Sequence, residues 1–224
     1  MEHVLSQAPL FAALDADAAQ AVQAASRTRH FRRGDIVFAE GDSGDALYVV
    51  VEGKVKIFRT SPDGRENMLA VLGPGEMFGE LSLFDPGPRT ATVATITDCT
   101  LASLAHEALR PWLAGRPELG VQLLQALAQR LRRTNEAMAD LVFSDVPGRV
   151  AKTLLDLADR FGSPNPEGVR VTHDLTQEEL AQLVGASRET VNKALSEFAS
   201  RGWIRLDGRA VLLIDQERLA HRAR

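Results

Sequence analysis

From Asp174 the chain reads DLTQEELAQLVGASRETVNKALSEFASRGWIRLDG, and its apolar positions fall at helical spacing, break at a glycine and resume. Leu180, Leu183 and Val184 share one face; Val191, Ala194, Leu195 and Phe198 form the inner face of a second helix after Gly185. Thr176 with Glu179 three residues on is the capping-box pattern that starts a helix, and Ser187 opens the second one. Two apolar runs follow, Gly202–Leu206 and Ala210–Ile214, which predict a β-hairpin closed around Asp207-Gly208. Two helices and a hairpin in this order make a winged helix. The outer face of the second helix carries Ser187, Arg188, Glu189, Asn192 and Lys193, groups that read base edges in a major groove. The two helices alone fit an ordinary helical hairpin with a solvated charged face equally well; the hairpin behind them favours DNA.

Upstream the pattern differs. Residues 1 to about 30 predict short helices, anchored by Leu5, Leu10, Phe11, Leu14 and Val22. From Phe31 to Leu104 short β-rich runs recur at Ile36–Phe38, Leu47–Val51, Val55–Phe58, Met68–Leu72, Ala91–Ile96 and Thr100–Leu104, with glycines between them. Many short strands with glycine turns predict a compact antiparallel roll.

A helix follows over 117–143. Leu124, Leu127, Leu131, Thr134, Met138 and Leu141 step by alternating three and four residues, an a/d seam. Such a stripe either packs on its own β-domain or pairs with a second copy; the steady alternation favours a two-stranded coiled coil and a homodimer. Thr134 is the polar member, and a hydroxyl in an apolar seam costs stability unless it finds a partner. Phe143, Ser144, Asp145 and Pro147 then mark a hinge, with Asp145 as N-cap and Pro147 in the first turn of the next helix. Val150, Leu154, Leu155 and Leu157 begin a new core, and Gly162–Gly168 reads as a surface loop. The fold class is therefore α+β: a β-roll (1–116), a long helix (117–143) and a winged helix (144–224).

Composition narrows the function classes. No apolar run among the 224 residues is long enough to span a membrane, and no signal-peptide pattern opens the chain, so a cytoplasmic location without membrane association is expected. The single cysteine, Cys99, excludes an internal disulfide and any all-cysteine metal or iron–sulfur cluster, and no metal is expected. No nucleophile–base set or Walker-type loop is present, which argues against catalysis. The net charge of -4 argues against indiscriminate nucleic-acid binding, whereas Arg188, Lys193, Arg201, Arg205 and Arg209 supply a local basic patch.

The segment GEMFGELSLFDPGPRTATV (Gly75–Val93) carries the remaining chemistry. Gly79 lets the backbone approach a ligand, and the peptide N–H groups after it can form an anion nest at a short helix near Glu80–Phe84. Arg89, after a Pro-Gly-Pro turn and before an apolar strand, enters the roll interior and there needs an anion, for which a phosphate suits its planar fork. Glu80 can accept from a sugar hydroxyl. Arg89 paired with Asp85 or Glu80 in a structural salt bridge is the alternative.

Gly79-Glu80-Leu81-Ser82 followed by Arg89-Thr90-Ala91 resembles the phosphate-binding cassette of cyclic-nucleotide-binding domains. With the long helix, RTN within it, DVPGRVAKTLL after the hinge and the SRETV recognition helix, the whole chain resembles the cyclic AMP receptor branch of the Crp/Fnr transcription factors, its actinobacterial members above all. The resemblance implies a jelly-roll-like cyclic-nucleotide-binding roll, a dimerisation helix and a winged helix-turn-helix. It implies that Gly79, Glu80, Leu81 and Ser82 hold the cyclic phosphate and ribose, that Arg89 pairs with the phosphate and Thr90 adjoins it. Thr134 then meets the adenine and Asn135 reaches from the other subunit, where the best-studied enterobacterial member has serine. Met68, Leu69 and Ala70 line the purine pocket. In the DNA-binding part Arg188 and Glu189 match the base-reading pair, Lys193 stands where the family has arginine, and Gln177, beside Thr176, replaces a basic residue at a phosphate contact. Double-stranded operator DNA with a TGTGA-like half-site and RNA polymerase are the implied partners, cyclic AMP the implied effector, and activation or repression the implied outcome. A gas or redox sensor of the wider family would need cysteines or a haem ligand; Cys99 reads as a small buried hydrophobe and His30 as a surface or packing residue. A regulatory subunit of an enzyme is disfavoured by the winged helix.

Overall fold

The computed structural model describes residues 24–115 and 117–223. The helical anchors expected at Leu5, Leu10, Phe11, Leu14 and Val22 lie outside the described residues. Two compact units are present: residues up to Arg59 with Leu69–Arg132, and Arg133–Arg224 with Thr60–Met68.

Two four-stranded antiparallel sheets form the roll. One has the order β1 (Arg27–Phe31), β8 (Cys99–Ala105), β3 (Ala46–Glu52), β6 (Met77–Phe78); the other has β2 (Ile36–Phe38), β7 (Thr92–Thr95), β4 (Val55–Thr60), β5 (Glu66–Leu72). All six runs expected from the sequence are strands. Two more were not read. β1 (RTRHF) is largely exposed and polar, so it carries no apolar alternation and its residues fell within the expected helices; it is held by the β8 ladder from Arg27↔Ser103 to Phe31↔Cys99. β6 is only two residues long.

The continuous apolar run of β3 follows from burial on both faces. Tyr48 and Val50 join Val55, Ile57, Phe78, Val93 and Leu101 inside the roll. Leu47 and Val49 point the other way, where Leu83, Leu109 and Leu123 cover them. Those three come from helices α1 (Leu81–Phe84), α2 (His106–Gly115) and α3 (Pro117–Phe143).

The helix α3 of 27 residues is about 40 Å long. Leu123, outside the a/d series, is the residue that seals against the roll at 0% exposure, whereas Leu124, Leu131, Met138 and Leu141 remain 55–67% exposed. Within the first unit, the seam positions Leu124 and Leu131 therefore stay exposed, and Leu127 is partly buried.

In the second unit α4 (Val146–Phe161) starts as expected: Asp145 accepts from Gly148 N at 2.9 Å and Pro147 occupies the first turn. Val150, Leu154 and Leu157 are buried, Leu155 only partly. The segment expected as a loop is a correction: Gly162–Asn165 is strand β9, paired with β10 (Gly168–Thr172). Its Gly-Ser-Pro-Asn composition hides a strand that exists because β10 supplies the ladder. Helices α5 (Gln177–Val184) and α6 (Arg188–Ser200) and strands β11 (Ile204–Asp207) and β12 (Ala210–Leu213) complete a sheet of order β11-β12-β10-β9, before α7 (Gln216–Arg222). The turn pair is Gly208-Arg209 rather than Asp207-Gly208, because Asp207 itself pairs with Ala210.

Gly185 ends α5 in the left-handed region (φ 71, ψ 45), and a Cβ there would meet Leu141 Cδ2 at 3.0 Å. Gly185→Ala is expected to destabilise the chain by about 1–2 kcal/mol, read as a lowered midpoint of thermal unfolding; an unchanged midpoint would show that this turn relaxes freely.

Candidate functional site

Arg89 is the centre of the first site. Although charged, it is 5% exposed, and its Cζ sits 4.2 Å from the centroid of the Phe38 ring. Nη1 donates to Gly79 O at 3.0 Å and to Ser82 Oγ at 3.2 Å; Nη2 donates to Ala46 O at 2.8 Å. The carboxylate it approaches is Asp45, 3.9 Å away and exposed, so the ion pair expected as an alternative with Asp85 or Glu80 is not what holds it. Burial pushes the guanidinium below its ordinary range, partly offset by Tyr48, Asp45, Asp42 and Glu80. Gly79 allows this packing: its φ is +79, and a Cβ would stand 2.8 Å from Arg89 Nη1 and 3.0 Å from Ala46 O.

Glu80, 2% exposed, caps the site from the start of α1, and its Oε1 takes a 2.8 Å salt bridge from Arg130 on α3. Arg89 Nε and Glu80 Oε2 are among the buried polar atoms that find no hydrogen-bond partner among the described residues. A buried donor on a cation and a buried acceptor on a carboxylate fit a ligand that offers an anionic oxygen to one and a hydroxyl to the other.

The other expected ligand residues are less uniformly placed. Ser82 is buried beside Arg89, while Leu81 and Thr90 are exposed. On β5, Met68 is buried, Leu69 is 52% exposed, and Ala70 packs on the inner core. Thr134 and Asn135 lie exposed on α3, in the second compact unit. Sequence reasoning missed Arg130, Phe38, Asp45 and the Ala46 carbonyl. Arg130 stands 50 residues from Glu80, and no local pattern joins them.

The second site is the helix-turn-helix. Thr176 Oγ1 accepts from Glu179 N at 3.1 Å while Thr176 N donates to Glu179 Oε2 at 2.9 Å, so both polar groups of Thr176 are engaged in the cap. Ser187 caps α6, accepting from Thr190 N. Asn192 Nδ2 donates to Gln177 Oε1 at 3.1 Å, which ties the outer faces of the two helices. Arg188, Glu189 and Lys193 are exposed. The backbone N–H of Glu189 and the Ser187 hydroxyl hold the Glu189 carboxyl below the usual range, so it is an acceptor at neutral pH. The expected basic patch is smaller than five residues: Arg201 pairs with Glu197 at 2.8 Å over the Trp203 ring, and Arg205 pairs with Glu167. Arg188, Lys193 and Arg209 carry no ion pair among the described residues.

Elsewhere, Cys99 is buried, its thiol pushed up by burial and its Sγ 3.2 Å from Lys54 O; His30 is exposed at 3.2 Å from Thr100 Oγ1. Among the described residues no group of three or more His, Cys, Asp or Glu could hold a metal ion, and no helix is long and apolar enough to cross a membrane.

Both sites have counterparts in known proteins. Residues 28–115 match the cyclic nucleotide-binding domain, and residues 148–222 match the Crp-like helix-turn-helix domain. Over all 224 residues, and the full length of both chains, the sequence is 59% identical to the CRP-like cAMP-activated global transcriptional regulator of Mycobacterium tuberculosis. The chain belongs to the Crp/Fnr family of transcription regulators. Within that family it is also 37% identical to the cyclic AMP receptor protein of Thermus thermophilus, over 88% of each chain. A solved structure, the c-di-GMP responsive global regulator CLP of Xanthomonas campestris, superposes with a TM-score of 0.74 at 32% identity, covering 89% of this chain and 99% of that one. The Crp/Fnr assignment accounts for the order of elements: a cyclic-nucleotide-binding roll, a long helix and a DNA-binding winged helix. These relatives are transcription regulators rather than enzymes.

Proposed function

We propose that this Crp/Fnr protein is a cyclic AMP-responsive, homodimeric regulator that binds pseudo-palindromic operators with TGTGA-like half-sites and so activates or represses promoters in the cytoplasm. The observation that carries the ligand reading is the buried Arg89, set against Gly79 and Ser82 with its Nε unpartnered, beside the unpartnered Oε2 of Glu80. Arg89, with the Ser82 hydroxyl and neighbouring Thr90, would hold the cyclic phosphate, and Glu80 would accept from the ribose hydroxyl. Met68, Leu69 and Ala70 would line the purine, Thr134 would meet its polar edge, and Asn135 would serve the partner subunit's site.

The homodimer reading is supported by the exposed seam of α3. Effector binding would act only through a difference in affinity between two dimer states. The hinge from Phe143 to Pro147 is where that difference would reach the winged helices. Within the second unit, Arg149 donates from Nη1 to Ser144 O at 2.8 Å and from Nε to Val184 O at 3.1 Å, joining hinge backbone to the end of α5. Two recognition helices would then enter successive major grooves about 34 Å apart. We assign a three-part organisation to the chain: roll (1–116), dimerisation helix (117–143) and winged helix (144–224). RNA polymerase is the partner this function calls for.

Calorimetric titration with cyclic AMP and cyclic GMP, followed by operator binding with and without ligand, tests the reading; absence of heat with both nucleotides would overturn it. In DNA binding, Arg188 is assigned to guanine O6 and N7, Glu189 to cytosine N4, and Lys193, Gln177 and Thr176 to the surrounding contacts. Arg188→Ala is expected to relax preference at one operator position by about 1–3 kcal/mol, measured by competition between single-base operator variants. A uniform loss across all sequences would place Arg188 on phosphate instead.

A further inference from the structure

We infer that His106 is a positioning and pH-sensing residue of the Arg89 site, anion binding at Arg89 being coupled to uptake of a proton on the His106 imidazole. The inference rests on the cyclic-nucleotide reading above.

His106 is the first residue of α2 and is only 6% exposed. Its backbone N–H donates to Asp45 O at 2.9 Å, and the next carbonyl, Ala46 O, accepts from Arg89 Nη2 at 2.8 Å. One dipeptide at the start of β3 therefore ties the His106 backbone to the Arg89 guanidinium. The Gly79 carbonyl and the Arg89 guanidinium act on the imidazole with opposite sign, and that same carbonyl accepts from Arg89 Nη1 at 3.0 Å. The His106 Nε2 is buried with no hydrogen-bond partner. His106 is thus tied through Asp45-Ala46 to the arginine of the anion cradle, with one buried ring nitrogen uncommitted.

The charges around it set the sign. Burial, then Arg89, hold the imidazole below its ordinary 6.5; the Gly79 carbonyl and Asp45 pull the other way, and Arg110 on the same helix adds to the lowering. While Arg89 is the dominant nearby charge, the neutral ring is favoured. A phosphate on Arg89 cancels that cation and adds a negative charge, which favours the imidazolium. The ligand then binds the protonated form better, and linkage requires affinity to rise as pH falls. The rise begins at the titration point of the bound state, which lies higher, and levels off below that of the ligand-free state, which lies lower than 6.5.

Calorimetry of cyclic AMP binding to the full-length protein near pH 6.5, repeated in buffers of different ionisation enthalpy, reads the proton directly. The parent is expected to take up a fraction of a proton per site and to bind about threefold or more tighter at pH 6 than at pH 7.5. His106→Gln, which keeps a polar side chain but does not titrate, is expected to lose the uptake and flatten the profile. Independently of any variant, the His106 ring signals in an NMR pH titration should move to a higher midpoint with cyclic AMP present. A parent that binds without proton uptake, a variant with undiminished uptake, or an unmoved His106 midpoint would each overturn the inference. Absence of any cyclic AMP binding to the parent would overturn the ligand reading itself, and this inference with it.

Discussion

Arg89→Ala is expected to abolish measurable binding of cyclic AMP. The guanidinium offers a phosphate charge-assisted bonds of about 1.5–3 kcal/mol each, so losing two of them weakens binding by about a hundredfold to ten-thousandfold. The fold should survive, because two effects on stability oppose one another. The substitution removes a donor from each of the Gly79 and Ala46 carbonyls, but it also removes a charge buried to 5% exposure. Arg89→Lys is the companion variant, retaining the charge without the planar fork. It should recover only part of the affinity. Calorimetry alongside circular dichroism separates the outcomes, and unchanged affinity in the alanine variant would remove Arg89 from the site.

The second large effect is expected on assembly. Leu131 and Met138 are 61% and 63% exposed in the single chain, so replacing both by aspartate should hardly change folding of the subunit. In a symmetric dimer each substitution appears twice. Four apolar side chains at about 1.5–3 kcal/mol each represent about 6–12 kcal/mol of lost burial, before the cost of placing carboxylates in the seam. Analytical ultracentrifugation is expected to show a dimer for the parent and a monomer for the double variant, with operator affinity falling by at least about a hundredfold as one half-site is lost. A parent that sediments as a monomer would sink the dimer proposal, and with it the assignment of Asn135 to the partner subunit's site.

Local chemistry was legible where neighbours in sequence are also the physical partners. The capping box of Thr176 and Glu179, the N-caps at Ser187 and Asp145, and the glycine turn at Gly185 each need only a few consecutive residues, and each occurs as read. The apolar runs of the roll were equally legible, since a strand buried on both faces leaves a continuous hydrophobic signature. The cassette from Gly79 to Arg89 falls in the same class: the chain returns to one spot within ten residues.

What failed did so for a common reason. β1 and β9 carry no apolar alternation and exist because a partner strand offers them a ladder. The hairpin turn moved by one residue because pairing extends to Asp207. Arg205, expected in the basic patch, is paired by Glu167 from 38 residues away; Arg201 is the exception, neutralised by its i,i+4 neighbour Glu197.

By itself, then, the order of residues determined the α+β class, the helix-turn-helix with its wing, and the identity of the arginine buried in the roll, because these depend on periodicity and short-range bonding. Only the tertiary structure decided that Leu123 rather than the seam seals α3 onto the roll, that Arg130 bridges to Glu80, and that Asp45-Ala46 links His106 to Arg89. Those are meetings of groups far apart in the chain, and packing, which no local pattern encodes, is what brings them within reach of one another.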